Sequence, residues 1–145
     1  MRKTVLVTGG SGEIGSAICK KFADNGYDII ITYNANAQRA ENFLATLPAG
    51  NHSAFHAPNT DAEKITALEV FVKEKYGKLD VLVNNAGITT PVSHENLDGL
   101  TDEWIDRIMQ TNFRGSFAMA RAFRELLEKS TEDTGLIVNI SSIAG

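Results

Sequence analysis

The sequence predicts an α/β domain built on a mostly parallel sheet, and three observations predict it. Short apolar runs alternate strictly with helical stretches across the 145 residues. One of these runs, Asp28-Ile29-Ile30-Ile31-Thr32-Tyr33, is apolar through its middle, as a strand covered on both faces must be. No repeat, low-complexity tract or linker interrupts the alternation. Alternating strand and helix means right-handed βαβ crossovers around a parallel sheet.

Each element has its own signal. Thr4-Val5-Leu6-Val7-Thr8 reads as the first strand, ended by glycines. Ile14, Ala17, Ile18 and Phe22 then recur at helical spacing as far as Asn25, and Gly26 is the stop. The second strand is followed by a helix over 37–47, with Phe43, Leu44 and Leu47 on one side and Pro48-Ala49-Gly50 at its end. A weaker third strand runs over 52–57. Thr60-Asp61 caps an amphipathic helix whose stripe is Ile65, Leu68, Phe71 and Val72, closed by Gly77. Leu79-Asp80-Val81-Leu82-Val83 is the fourth strand, ending in Asn84-Asn85-Ala86-Gly87. After a polar stretch, one long helix is expected over about 101–129. Its apolar positions are Trp104, Ile105, Ile108, Met109, Phe113, Phe117, Ala120 and Leu127. Residues 135–141 form the fifth strand.

Composition narrows the function. With 43% hydrophobic and 22% charged residues, the chain fits a soluble globular protein of one domain. Three prolines and 12 glycines exclude a disordered or fibrous chain. Fourteen Lys+Arg against 18 Asp+Glu leave a net charge of −4, which argues against a nucleic-acid partner held by phosphate neutralisation. The one cysteine, Cys19, excludes a disulfide scaffold and a cysteine-built zinc site, and it suits the reducing cytoplasm. No apolar run approaches the ~18 residues that would span a membrane, and no signal-peptide apolar region opens the chain. No metal site is expected. His52 and His56 lie four apart along a strand, too far to share an ion, and His94 sits in a polar loop.

In a doubly wound parallel sheet of order 3-2-1-4-5, a ligand lies across the carboxyl ends of the strands, where the order reverses. The residues to read are therefore 8–15, 33–36, 57–61, 84–88 and 141–145. Gly10-Ser11-Gly12-Glu13-Ile14-Gly15 is a G-x-G-x-x-G between a strand and a helix, the context of a Rossmann-type dinucleotide site. Its glycines let backbone approach a pyrophosphate, and the helix start offers free N–H groups and a favourable dipole. An NAD site wants an acid about 20 residues on, for the ribose 2′-hydroxyl. The second strand ends instead in Tyr33-Asn34-Ala35, and Arg39 follows as a candidate partner for a 2′-phosphate. This tilts the cofactor toward NADP(H) over NAD(H).

Taken together, four segments resemble the short-chain dehydrogenase/reductase family. They are residues 8–15 with Gly9, Gly10, Ser11, Gly12, Glu13, Ile14 and Gly15, the Asn84-Asn85-Ala86-Gly87 turn, Asn112 in Asn112-Phe113-Arg114-Gly115, and Asn139-Ile140-Ser141-Ser142-Ile143-Ala144-Gly145. The general look is similar to the 3-oxoacyl-acyl-carrier-protein reductases. The resemblance implies an oxidoreductase that moves a hydride between a nicotinamide cofactor and a small carbonyl or alcohol substrate, in a homo-oligomer. It implies that Asn84, Asn85, Ala86 and Gly87 support the central strand and the cofactor ribose. Ser142 would polarise the substrate carbonyl, with Ser141 as the neighbouring alternative, and Asn112 would kink its helix and hold a water in a proton relay.

Three departures from the family pattern stand out. Glu13 occupies a usual glycine place, so Gly12 is expected to take the special backbone angle. Pro58 falls where the family has a polar residue for the adenine, which leaves Asn59 as the substitute. The family's general acid is a Tyr with a Lys four residues on, yet Tyr27, Tyr33 and Tyr76 are followed at that distance by Ile31, Ala37 and Asp80. The sequence is therefore expected to be the N-terminal part of a longer fold, whose C-terminal part carries the acid and the substrate loop. Three readings remain: an oxidoreductase, a non-catalytic dinucleotide-binding module, and an interaction fragment.

Overall fold

The computed structural model describes residues 1–143. In chain order the elements are β1 (Thr4–Val7), α1 (Glu13–Asp24), β2 (Asp28–Tyr33), α2 (Ala37–Leu44), β3 (Ser53–His56), α3 (Ala62–Tyr76), β4 (Val81–Asn84), α4 (Asp102–Met109), α5 (Gly115–Leu127) and β5 (Leu136–Asn139). The five strands form one parallel sheet of order β3-β2-β1-β4-β5. The expected α/β class, Rossmann-type winding and strand order are all present.

The sheet divides the core in two. On one face Leu6, Ile30 and Leu82 pack against Ile65, Leu68 and Val72 of α3 and Met119, Phe123 and Leu126 of α5. On the other Val5, Val7, Ile29, Ile31 and Val83 pack against Cys19 and Ala23 of α1 and Ala40 and Leu44 of α2. Alternate residues of β1 and β2 thus serve different cores, which is why these strands read as unbroken apolar runs. Burial of each such side chain stabilises the fold by roughly 1.5–3 kcal/mol.

Helix ends follow their signals. Asp61 Oδ1 accepts the Lys64 N–H at the start of α3, and Asn36 Oδ1 accepts the Arg39 N–H at the start of α2. Gly26 and Gly77 stop α1 and α3 at φ +82° and +73°.

Several expectations are corrected. The predicted long helix is three segments, because residues 110–114 form a π turn between α4 and α5. Ile105, Met109, Phe113 and Phe117 are exposed and lie off the core stripe, which the expected Leu127 shares with Met119, Phe123 and Leu126. Ile14 is likewise exposed. Helix α2 ends at Leu44, and the bonds Thr46 N–H to Phe43 O and Leu47 N–H to Leu44 O tighten the following turn. His52 stands outside β3, so it does not share a strand face with His56. Its Nδ1 accepts the Ile29 N–H at 3.0 Å.

At the amino end of the sheet a buried carboxylate ties three segments together. Asp80 Oδ2 accepts from Thr4 N–H (2.7 Å), Thr4 Oγ1 (3.2 Å) and the Lys78 ammonium. Its Oδ1 accepts from Ser130 Oγ, Thr131 N–H and Thr131 Oγ1 at 2.8, 2.7 and 2.7 Å. Lys78 and Asp80 side chains are only 6% and 2% exposed. Burial alone would raise the Asp80 pKa. The Lys78 hydrogen bond, with those from Thr4 and Thr131, overrides burial and holds it well below the usual carboxylate range.

Candidate functional site

The site is built where β1, β2, β4 and β5 end. β1 runs into the glycine loop, and Gly9 is the residue with φ +63°; Gly12 has φ −74°. The expectation that Gly12 takes the left-handed angle is thus corrected. Gly12 is the extended residue before α1 and has no side chain to cap the helix. The N–H groups of Glu13, Ile14 and Gly15 therefore begin α1 without a side-chain cap. Their alignment and the helix dipole favour an anion there.

Close packing explains the other glycines. A Cβ on Gly15 would lie 2.5 Å from Gly9 O and 2.8 Å from Asn85 Nδ2, and a Cβ on Gly10 would collide with Ile31. The loop is thus a cradle that has no room for a side chain at Gly10 or Gly15. Ser11 is half-buried in the loop, and the Glu13 side chain is exposed, so its carboxylate is solvated.

The 84–87 turn is fastened to this loop. Thr8 Oγ1 accepts the Asn85 N–H and Ala86 N–H at 3.0 and 2.9 Å, and Asn85 Nδ2 donates to Thr8 O and Gly9 O at 3.0 and 3.3 Å. Asn84 turns inward. Its Nδ2 donates to Asn139 Oδ1 on β5 at 2.9 Å and to Ser116 O at 3.3 Å. Gly87 faces Asn112, whose Oδ1 would lie 3.3 Å from a Cβ placed there.

The π turn adds a third fastening. Gly115 N–H reaches back to Gln110 O, five residues away, so Thr111 O loses its usual helical donor. Asn59 Nδ2 supplies one at 3.0 Å, and the buried Asn59 side chain stacks so closely on Gly115 that no Cβ would fit between them. Asn112 clamps the chain after β4 at both ends of one residue. Its Oδ1 accepts the Ile88 N–H and its Nδ2 donates to Ile88 O, each at 2.8 Å. Replacing Asn112 with alanine removes both bonds. The expected loss is about 1–3 kcal/mol of stability, from two modest hydrogen bonds. Faster amide exchange at Ile88 than at Leu82 would show that the loss is local.

Tyr33 and Asn34 stand at the end of β2. Tyr33 is half-buried with its ring 5.7 Å from that of His56, and Asn34 and Arg39 are exposed. Ser141 and Ser142 follow β5, both exposed. Ala144 and Gly145, part of the quoted family segment, lie outside the described residues. A trough of about 570 Å³ opens between the π turn, α5 and β5. It is lined by Asn84, Asn112, Ser116, Asn139 and Ser141 on its polar side, and Phe117 and Ile137 lie on its apolar side. The structure therefore gathers Gly9–Gly15, Asn85–Gly87, Asn112 and the β5 end along one edge of the sheet. Asn59 meets that group through the π turn. Thr8 opens the loop motif, though its spacing gives its hydroxyl no role, and Thr32 carries no signal beyond a threonine near the end of a buried strand.

A glycine cradle at a helix start, at the carboxyl edge of a parallel sheet where the strand order reverses, defines a Rossmann-type α/β protein. The comparisons specify it further. The family model for short chain dehydrogenase matches residues 3–145, and the chain belongs to that family. It is 35% identical to the 3-oxoacyl-[acyl-carrier-protein] reductase FabG of Staphylococcus aureus, with all of this chain aligned to 58% of that protein. It is 35% identical to an uncharacterized oxidoreductase of Escherichia coli, with 96% of this chain aligned to 57% of the relative. Among solved structures, a short-chain dehydrogenase/reductase from Burkholderia xenovorans superposes with a TM-score of 0.92 at 27% identity, covering 99% of this chain and 61% of that one. A short chain dehydrogenase from Burkholderia cenocepacia in complex with NADP gives a TM-score of 0.83 at 37% identity, covering 97% and 56%. The chain thus spans somewhat more than half the length of these relatives. No helix among the described residues is long and apolar enough to cross a membrane.

Proposed function

We propose that residues 1–145 form the dinucleotide-binding unit of a cytoplasmic NADP(H)-dependent oxidoreductase acting on a small carbonyl or alcohol substrate. The observation that carries this is the glycine cradle locked to the 84–87 turn. The residues present fit a dinucleotide: Glu13, Ile14 and Gly15 offer N–H groups to a pyrophosphate, and Gly9, Gly10, Ser11 and Gly12 form the wall it lies against. Asn85, Ala86 and Gly87 line the ribose, and Tyr33 and Asn34 bound the adenosine end, while the Asn59 side chain is held against the π turn. A strand end without a carboxylate and an exposed Arg39 favour a 2′-phosphate, as does the relative bound to NADP. A nicotinamide cofactor supplies or takes the hydride when bound.

Ser142 would donate a hydrogen bond to the substrate oxygen, stabilising charge that develops there. Asn112 would act through Ile88 and the shape of the π turn. The whole protein would work as a homo-oligomer. No Tyr-x-x-x-Lys occurs in these 145 residues, so the chain alone should bind cofactor without turning over a ketone. Calorimetric titration should show NADPH binding more tightly than NADH, and absorbance of reduced nicotinamide should stay constant with ketone present. Binding of neither dinucleotide would overturn the reading, and steady ketone reduction would overturn its inactive half.

A further inference from the structure

We propose that Thr32 is a positioning residue for the dinucleotide, acting through the Gly9 backbone. This rests on the dinucleotide reading above. Thr32 lies outside the glycine motif, near the end of β2, and its side chain is buried with 2% exposure. Its Oγ1 accepts the Gly9 N–H at 3.2 Å.

Gly9 is the pivot of the loop. Its φ of +63° is open to glycine without strain, but so are many other angles, so glycine alone does not select it. External bonds must do so. The Gly9 carbonyl accepts from Gly12 N–H at 3.1 Å and Asn85 Nδ2 at 3.3 Å. Thr32 holds the opposite side of the residue. Gly9 is thus gripped from β2 on one side and from the turn after β4 on the other. Both neighbours of β1 in the sheet set the loop between them.

Two consequences follow for binding. The Gly9 N–H is spent on Thr32, which leaves the start of α1 as the anion site. In addition, Thr32 directly precedes Tyr33 and Asn34, so the strand end assigned to the adenosine also fixes the loop assigned to the pyrophosphate. The spacing between the two halves of the ligand is then built in before it arrives, which lowers the ordering cost of binding.

The test compares Thr32→Val, which keeps the shape and removes the acceptor, with Thr32→Ser, which restores the hydroxyl. In the cofactor-free chain, Thr32→Val should speed amide exchange at Gly9 while leaving Leu82 in β4 protected. Its NADPH dissociation constant should rise roughly five- to tenfold, the loss of one modest hydrogen bond. Thr32→Ser should recover both within about twofold, since it restores that bond. Unchanged Gly9 exchange in Thr32→Val overturns the positioning role. So does faster Gly9 exchange with unchanged NADPH affinity, which would make the contact merely structural. Equal acceleration at Gly9 and Leu82, with no rescue by Thr32→Ser, also overturns it. If the unaltered chain binds neither NADPH nor NADH, the dinucleotide reading itself fails, and this inference with it.

Discussion

Replacing Asp80 with asparagine should destabilise the protein by about 3–5 kcal/mol, because it leaves the buried Lys78 ammonium without its counter-charge. The effect is large because the six donors on Asp80 come from Thr4 of β1, from Lys78 in the segment leading into β4 and from the turn after α5. The carboxylate holds the start of the central strand against a segment 50 residues away from it in sequence. Its pKa is lowered in the fold, relative to about 3.9 in an unfolded chain. The folded state therefore binds fewer protons than the unfolded state when pH falls past the unfolded value. The contribution is complete at neutral pH and drains away from about pH 5 downward. Urea midpoints measured from pH 7 to pH 3 check both points. The unaltered chain should lose midpoint steeply below pH 5. Asp80→Asn should start lower and lose less over that range. A variant as stable as the parent at pH 7 would show that the cluster contributes nothing net.

Replacing Gly15 with alanine should abolish useful dinucleotide binding. The added Cβ would press on Gly9 O at 2.5 Å, Asn85 Nδ2 at 2.8 Å and Gly10 Cα at 2.9 Å. Two of these are backbone atoms of the cradle, and the third is the amide that locks the cradle to the 84–87 turn. None is the loose end of a flexible side chain, so the loop itself must move. Overpacking of this kind costs about 1–3 kcal/mol in stability. Affinity should suffer more, since the N–H groups of α1 would no longer point at one anion position. NADPH affinity should fall by at least about tenfold, which is 1.4 kcal/mol or more of lost binding energy. Calorimetry of the variant, with its melting temperature measured alongside, separates lost binding from lost folding. Retained affinity in a folded variant would mean that the phosphates lie elsewhere.

The sheet was largely legible because its signal is redundant. Ile29, Ile30 and Ile31 could only be a strand buried on both faces, and Gly26 and Gly77 stop helices wherever the apolar spacing runs out. The details that failed depend on partners distant in sequence. Within Gln110–Arg114 only Asn112 signals an interruption, and its form as a π turn is matched to Asn59 and Ile88, which lie on other loops. Gly9 and Gly12 are equally permissive glycines, and only the pull of Thr32 and Asn85 shows which one turns left-handed. The Asp80 cluster escaped for a similar reason. Lys78-Leu79-Asp80 looks like a charged strand entrance, and its burial depends on Ser130 and Thr131 folding back over it. His52 was misplaced by one residue of strand boundary, where its ring takes over a backbone acceptor's duty toward Ile29.

The central position of β1 also sets an order in time. A chain made from its N-terminus has β1 early, and β2 can join it as soon as α1 has turned back. The other neighbour, β4, does not exist until residue 84 has been added. Helix α5, whose Met119 and Phe123 close the core shared with α3, comes later still. Through synthesis of three intervening elements, the strand that ends deepest in the molecule keeps one edge open and one face bare. What is buried most completely in the finished fold is thus what a growing chain must leave uncovered longest.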